Sequence, residues 1–508
     1  MPTLIYESKN FLNGIRIEND GDSLVFTRKN ISGETKSSVK LSQVRKISVE
    51  KSMLSYSLII DREEGSPISL GGFECKAVEE ISRNLGSLVE IKAEGGKKRG
   101  TPDEVRKGAA AILESLSGDF DPRHIITYII TQAVRLDSSD IHITPKKEAA
   151  LIQFRIDGLL QEIARLDNEN YSRLTAAVKN RAKLPSYKKS VPQDGSFHFD
   201  DEGLNLDIRC ATIPTLHGEK LVLRILSTAK TPLFLDDLGF SPEILSAYKK
   251  AISEPQGCIV LTGPAGSGKT TTIFASLIHI YNNFSGTINI ATIEDPVEYI
   301  LDEFQQTQVQ PVTGLTFAAG LKSLLRLDPD IILVGEIRDP ETAQIAVRTA
   351  LTGHLIFTTL HARDTLGVFP RLIEMDMKPG LVSSSVTASL YQRLIRKLCE
   401  KCKKEAEPPA ELIREAATAG LKPETYYTAV GCPECSGSGY SGRTGVFELL
   451  IPDDTVRDMI MTGVSRQKIN EYCRSKGMKF LRDDAIRRIC EGVTDYSEIG
   501  RVCPTGNF

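Results

Sequence analysis

The sequence predicts an α/β protein built around a phosphate-binding domain, with a smaller α/β domain before it and a β-rich domain at the N-terminus. Three observations predict this. The segment "GPAGSGKTTT", from Gly263 to Thr272, joins the apolar strand-like run "GCIVLT" to a stretch that is apolar at helical spacing. Residues 119–228 mix helix-like and strand-like segments. Residues 1–92 carry short alternating runs separated by turns.

The N-terminal runs are "GIRIEN", "SLVFTRK", "VRKISVE", "YSLIIDR" and "SPISLGGF", followed by the helix-like "CKAVEEISRNLGSLVEI". Strands closed by one helix suggest a small sandwich or barrel, of which a pleckstrin-homology-like domain is one form. Residues 1–92 are expected to serve in docking, and residues 93–118, containing "KAEGGKKRGTP", to act as a linker. The smaller domain then reads as a helix "HIITYIITQAVRL", strands "SSDIHI" and "ALIQFRIDGLL", a helix from Asn170 to Leu184, and strands "PQDGSFHF", "LNLDIRCATIP" and "EKLVLRIL". Residues 229–508 form the phosphate-binding domain.

The loop fits G-x-x-x-x-G-K-[ST] with Gly263, Gly268, Lys269 and Thr270 in the fixed places. Its glycines let successive N–H groups turn inward onto phosphate oxygens, and the helix that follows adds its positive dipole end. Gly263, Pro264, Ala265, Gly266, Ser267, Gly268, Lys269, Thr270 and Thr271 are therefore the expected nucleotide-binding residues. Lys269 is placed on the β- and γ-phosphates, and the Thr270 hydroxyl on Mg²⁺. "NIATIEDPVEY" puts Glu294, Asp295 and Glu298 at a strand end, where carboxylates can organise Mg²⁺ and its waters. In "DPDIILVGEIRD", Glu336 falls just past the strand Ile331–Val334, placed to orient water for attack on a γ-phosphate. His354 and His361 flank a further apolar strand, where either can sense a γ-phosphate or bond to neighbouring backbone.

Cys399-x₂-Cys402 and Cys432-x₂-Cys435 suit tetrahedral Zn²⁺ held by four thiolates, a closed structural site, with a redox pair as the other reading. The zinc subdomain is bounded at residues 396–447 and is expected to be loop-rich with little core of its own. The remaining six of the ten cysteines are expected as small buried apolar residues.

Bulk properties restrict the function. A net charge of −3 and no basic stripe argue against a nucleic-acid partner. No apolar run reaches the ~18 residues that span a bilayer, and the start "MPTLIYESKN" has no secretory pattern. A cytoplasmic protein is expected, reaching any membrane through partners.

As a set, "SDIHI", "RIDG", "PQDGSF", "IPTLHGEKLVLR", "GPAGSGKTTT", "IEDPVE", "DPDIILVGEIRD", "TGHLIFTTLHA", "QRLIRKLC" and "GYSGRTGVFELL" closely resemble the ATPases of type II secretion and type IV pilus assembly, in one order over about three quarters of the chain. The resemblance implies a RecA-like ATPase domain, a PAS-like domain before it, and a homohexamer at the cytoplasmic face of the inner membrane. There it would meet a platform protein and a membrane-anchored recruiting protein, with ATP hydrolysis rotating domains to drive assembly of pilin-like subunits. It implies that Glu294 to Glu298 are the Asp box, that Glu336 is the Walker B glutamate, that His354 and His361 bracket the His box, and that the four cysteines match the family's zinc subdomain. It also implies that Arg209 and Arg224 reach the γ-phosphate when the smaller domain closes. Ala319 and Lys322 stand where the family has arginines, and Arg363 where it has asparagine, changes that bear on subunit contacts and turnover. Residues 1–92 do not match the family's usual helical N-terminal domain. Rival readings are a pilus-extension ATPase, a nucleic-acid motor and a nucleotide-gated scaffold that does not hydrolyse.

Overall fold

The computed structural model describes residues 121–201, 204–226, 234–423, 425–435 and 437–503, together with eight strands between residues 3 and 90. The expected helix after "SPISLGGF" and the linker 93–118 lie outside the described residues.

Strands β1 (Thr3–Glu7), β2 (Gly14–Asn19), β3 (Ser23–Asn30) and β4 (Gly33–Lys40) form one antiparallel meander. Ile17, Leu24, Phe26 and Val39 are buried in it. A second sheet has the order β7-β6-β5-β8, from β5 (Val44–Lys51), β6 (Tyr56–Arg62), β7 (Ile68–Phe73) and β8 (Val89–Glu90).

The smaller α/β domain is one six-stranded antiparallel sheet, order β11-β10-β9-β14-β13-β12. Its strands are β9 (Asp140–Thr144), β10 (Ala150–Ile156), β11 (Leu159–Leu166), β12 (Gln193–Asp201), β13 (Leu204–Thr215) and β14 (Gly218–Leu226). "ALIQFRIDGLL", expected as one strand, is instead a hairpin. Asp157 and Gly158 take positive φ (49° and 85°), and the chain reverses there from β10 into β11. Helices Pro122–Arg135 and Asn168–Arg181, each capped by an aspartate (Asp121, Asp167), pack one on the other. They supply Ile126, Ile130, Leu174 and Val178 to a core shared with Ile141, Phe154, Ile208 and Leu223 of the sheet.

The second α/β domain is a seven-stranded sheet, order β17-β16-β18-β19-β15-β20-β23. β15 (Gly257–Thr262), β16 (Ile290–Glu294), β17 (Gln305–Gln308), β18 (Ile331–Val334), β19 (Leu355–Leu360) and β20 (Val386–Leu398) are parallel, and β23 (Tyr440–Leu450) runs against β20. β15, β16 and β18 are buried at every position, as strands covered on both faces must be. Between β20 and β23 lie the short pair β21 (Lys404–Glu405) and β22 (Tyr427–Thr428) and a helix Ala410–Thr418. This insertion packs against the rest of the domain. Leu412, Ala416 and Tyr426 are buried in a cluster with Tyr391, Ile395, Val446, Ile486 and Ile489.

Candidate nucleotide site and cysteine cluster

In a parallel sheet the backbone leaves each strand at the same edge, so loops after β15, β16, β18 and β19 converge. Those loops begin with Gly263, Asp295, Gly335 and His361. The glycine-rich loop runs from β15 into the helix Lys269–Asn283. Two of its glycines are required by geometry. Gly263 has φ 142°, and a Cβ there would sit 2.4 Å from the carbonyl oxygen of Gln392. Gly268 has φ 88°, a region that L side chains rarely adopt. Pro264, Ala265 and Gly266 are exposed, Ser267 is buried, and Lys269, Thr270 and Thr271 are half-buried. The Lys269 ammonium donates to the carbonyls of Gly263 and Pro264, both at 3.0 Å, so it is folded back over its own loop. Partial burial holds its pKa below the ordinary lysine range, against the opposing pull of Glu336 and Glu298.

Three of the expected carboxylates differ in environment. Glu294 is buried, and burial raises its pKa to about 7 despite hydrogen bonds from Thr292 Oγ1 (2.7 Å) and Gln306 Nε2 (3.3 Å). Asp295 and Glu298 are exposed. Glu336 is half-buried and pairs with Arg338 at 2.5 Å, an ion pair that the sequence reasoning did not anticipate. Arg338 is raised above its ordinary range by its hydrogen bond with Glu336, with Asp295 a lesser contributor. Tyr299, also unanticipated, shares a hydrogen bond of 2.9 Å with Thr271 and so ties the loop after β16 to the start of the helix. Only the pattern of a tyrosine one residue past Glu298 could have flagged it.

The two histidines separate. His361 begins the loop at the same edge as Gly263 and lines a cleft of about 1080 Å³ with Gly263, Pro264 and Arg363. His354 precedes β19 at the opposite edge, where its carbonyl accepts from Gly257 N at 3.1 Å. At ~3.3 Å per strand residue the two are about 23 Å apart along the strand, so His354 begins β19 at the edge away from the glycine-rich loop.

Arg209 and Arg224 are register partners on β13 and β14. Arg224 is ion-paired inside its own sheet, Nε to Asp140 Oδ1 at 2.9 Å, and Arg155 approaches the other oxygen at 3.5 Å. Arg209 is exposed. Among the described residues neither arginine bonds to the glycine-rich loop. Ala319 is half-buried, Lys322 pairs with Glu341 at 2.6 Å, and Arg363 is exposed.

The four cysteine sulfurs gather within 4.8 Å of one another. Pairs stand at 3.9 Å (Cys399–Cys432), 3.7 Å (Cys402–Cys435) and 3.7 Å (Cys432–Cys435). A tetrahedron with Zn–S bonds of ~2.3 Å has edges of about 3.8 Å, whereas a disulfide needs ~2.05 Å. The donor set therefore fits a closed zinc site and not a disulfide pair. Burial opposes the change, but N–H groups of Cys432 and Gly439, each 3.2 Å from Cys435 Sγ, bring that thiol down to about 7. Of the other cysteines, Cys210, Cys258, Cys473 and Cys503 are buried, Cys490 is half-buried, and Cys75 lies outside the described residues.

No helix among the described residues is long and apolar enough to cross a membrane. Residues 119–501 match the family model described as Type II/IV secretion system protein. The chain is 41% identical to the type II secretion system protein HxcR of Pseudomonas aeruginosa, over 74% of this chain and 76% of that one. It is 40% identical to the type II secretion system ATPase E of Vibrio cholerae, over 74% of each. It is also 40% identical to the type IV pilus assembly ATPase PilB of Thermus thermophilus, over 81% of this chain but only 45% of that longer one. The fold is similar to that of the Legionella pneumophila ATPase DotB, with a TM-score of 0.54 at 21% identity, covering 75% of this chain and 95% of DotB. With its glycine-rich loop, its carboxylates at one sheet edge and a match running from residue 119 to residue 501, this chain belongs to the type II/IV secretion system protein family.

Proposed function

We propose that this chain, an ATPase of the type II/IV secretion family, powers type II protein export as a homohexamer in the cytoplasm, docked on inner-membrane partners. What supports the reading is that Lys269, Glu298 and Glu336 all follow strands ending at one edge of the sheet, where both carboxylates oppose the lowering of the lysine's pKa. A phosphate seated on the loop N–H groups would draw Lys269 off the Gly263 and Pro264 carbonyls. Glu336, released from or shared with Arg338, would hold the attacking water. Thr270, Glu294, Asp295 and Glu298 are the oxygen donors that would hold Mg²⁺, which neutralises charge on the transferring phosphoryl group. Arg209 and Arg224 would complete that neutralisation when the smaller domain closes, and its release after hydrolysis would be the mechanical step.

Relatives named for type II secretion support export as the process. The similarity to a pilus assembly ATPase supports pilus extension as the second reading. The chemistry is tested by phosphate release with Mg²⁺. Lys269→Ala is expected to abolish nucleotide binding, and Glu336→Gln to bind ATP but not turn it over, because the amide keeps the shape and loses the basicity. Wild-type turnover by Glu336→Gln sinks that assignment. The process is tested by gene deletion: accumulation of an exported protein inside the cell supports secretion, and loss of surface pili with normal export supports the alternative.

A further inference from the structure

The glycine-rich loop is fastened from two sides. From above, Lys269 donates to the carbonyls of Gly263 and Pro264. From below, the side chain of Gln392 donates from Nε2 to the carbonyl of Ser267 at 2.8 Å. Gln392 is 1% exposed. It lies in β20, next to Tyr391, which pairs with Thr262 at the end of β15, and it pairs across to Phe447 of β23. Neighbours on both sides therefore fix its backbone. Its own carbonyl oxygen is the atom that a Cβ on Gly263 would strike, and its amide nitrogen lies 3.3 Å from the place a Cβ on Gly268 would take. One residue thus underlies both ends of the loop.

The two fastenings differ in what a nucleotide does to them. Phosphate recruits the Lys269 ammonium, and the upper fastening is lost. The bond from Gln392 involves no group that faces phosphate, so it survives and carries the loop's shape while N–H groups are aimed at the ligand. We infer that Gln392 is a positioning residue for nucleotide binding, which sets the glycine-rich loop through the carbonyl of Ser267. The inference rests on the loop being the nucleotide site. Gln392 belongs to the segment "QRLIRKLC", whose resemblance to a family motif by itself assigns the residue no task.

Among the described residues, the bond from Nε2 is the one side-chain tie that Gln392 makes here. Gln392 Oε1 and Ser267 Oγ are buried without a hydrogen-bond partner. Removing the amide would leave the Ser267 carbonyl buried and unpaired as well, which costs more than the bond itself contributes. A loop freed below and unlatched above would pay the ordering entropy when phosphate binds.

The test uses two variants of nearly native shape in the full chain. Gln392→Met keeps the bulk and removes the donor. Gln392→Glu keeps the bulk and polarity, but its carboxylate has no hydrogen for Ser267 and lies under an anion-binding loop. The readouts are affinity for ADP and for AMP, and the KM and kcat for ATP. Gln392→Met is expected to weaken ADP binding about tenfold and to raise KM alike, with a smaller loss in kcat, as uniform binding requires. AMP, which has no β-phosphate for the loop, is expected to bind as to wild type. Gln392→Glu is expected to be weaker still for ADP, and it stands in if the methionine variant fails to fold. ADP affinity within twofold of wild type in either folded variant overturns the inference, as does equal weakening of ADP and AMP. A wild-type protein that binds no ADP overturns the nucleotide-site reading, and this inference with it.

Discussion

Arg224 donates from Nε to Oδ1 of Asp140 at 2.9 Å, across the β9–β14 pair and next to Arg209 on β13. Burial alone would raise the Asp140 carboxyl, but hydrogen bonds from Arg224 and Ser139 bring it below its usual range. The guanidinium is thus parked on Asp140 and already charge-paired, while the side chain stays 65% exposed. A parked arginine suits a group that must exchange one set of oxygens for another, because planar bidentate donors match carboxylate and phosphate alike.

Arg209→Ala and Arg224→Ala are each expected to lower kcat by ~10³ or more, as removal of an arginine finger does, while ATP affinity changes little. Steady-state kinetics on folded variants checks this. Two variants within about threefold of wild type, less than ~0.7 kcal/mol of barrier, would leave both arginines as ordinary sheet ion pairs.

The cysteine cluster is expected to hold one Zn²⁺ per chain. Metal analysis of protein purified without a metal-affinity tag checks the count, and finding none with intact thiols removes the site. Because Leu412, Ala416 and Tyr426 share a core with Tyr391 and Ile395 of β20, loss of zinc should loosen the insertion without unfolding the domain. Cys435→Ser should therefore lower thermal stability and expose residues 399–435 to protease, with the rest of the domain intact.

Much of this site was legible in the sequence because its parts are local. The glycine-rich loop, Glu294 and Glu336 all lie within two residues of a strand end, and a parallel sheet sends those ends to one edge. The cysteine spacing was legible for the same reason. What the sequence hid is relational. The two histidines bracket one strand, so reading them as a pair ignored that a strand has two ends, and only His361 reaches the phosphate edge. "RIDG" and "GYSGRTG" read as separate motifs, yet Asp157 accepts from Gly442 N at 3.2 Å, 285 residues away. Gln392 carries no local signal, since its partner Ser267 lies 125 residues away and is set by strand order and register; Arg338 is the opposite case, its partner Glu336 being two residues before it.

Residues 1–92 are expected to act as a separate docking module, because among the described residues their strands pair with one another in two sheets. Deleting residues 1–100 should leave ATP binding by the remainder at the wild-type level and abolish function in cells. A truncated protein that cannot fold, or one that fully restores export or piliation, counts against the module.

Glu294 should make magnesium binding depend on pH. Its pKa is raised to about 7 by burial, so near neutrality it is part protonated in the ligand-free protein. The sign follows from linkage. A carboxyl raised in the folded state binds its proton more tightly there than in the unfolded chain. Its contribution to stability is complete below the ordinary carboxyl range and is lost as pH rises through about 7. Oxygen ligation of Mg²⁺ needs the ionised form, so affinity should run the other way and climb over the same interval. Titration of Mg²⁺ into the ADP-bound protein is expected to give tighter binding at about pH 8 than at about pH 6, by up to about tenfold for one proton released per ion. ADP itself titrates in this range, so the deciding comparison is Glu294→Gln, which should bind more weakly at the higher pH and show a flatter profile. Identical profiles for the variant and wild type would mean that Glu294 does not serve the metal, leaving Asp295 and Glu298, both exposed, as the oxygen donors of that loop.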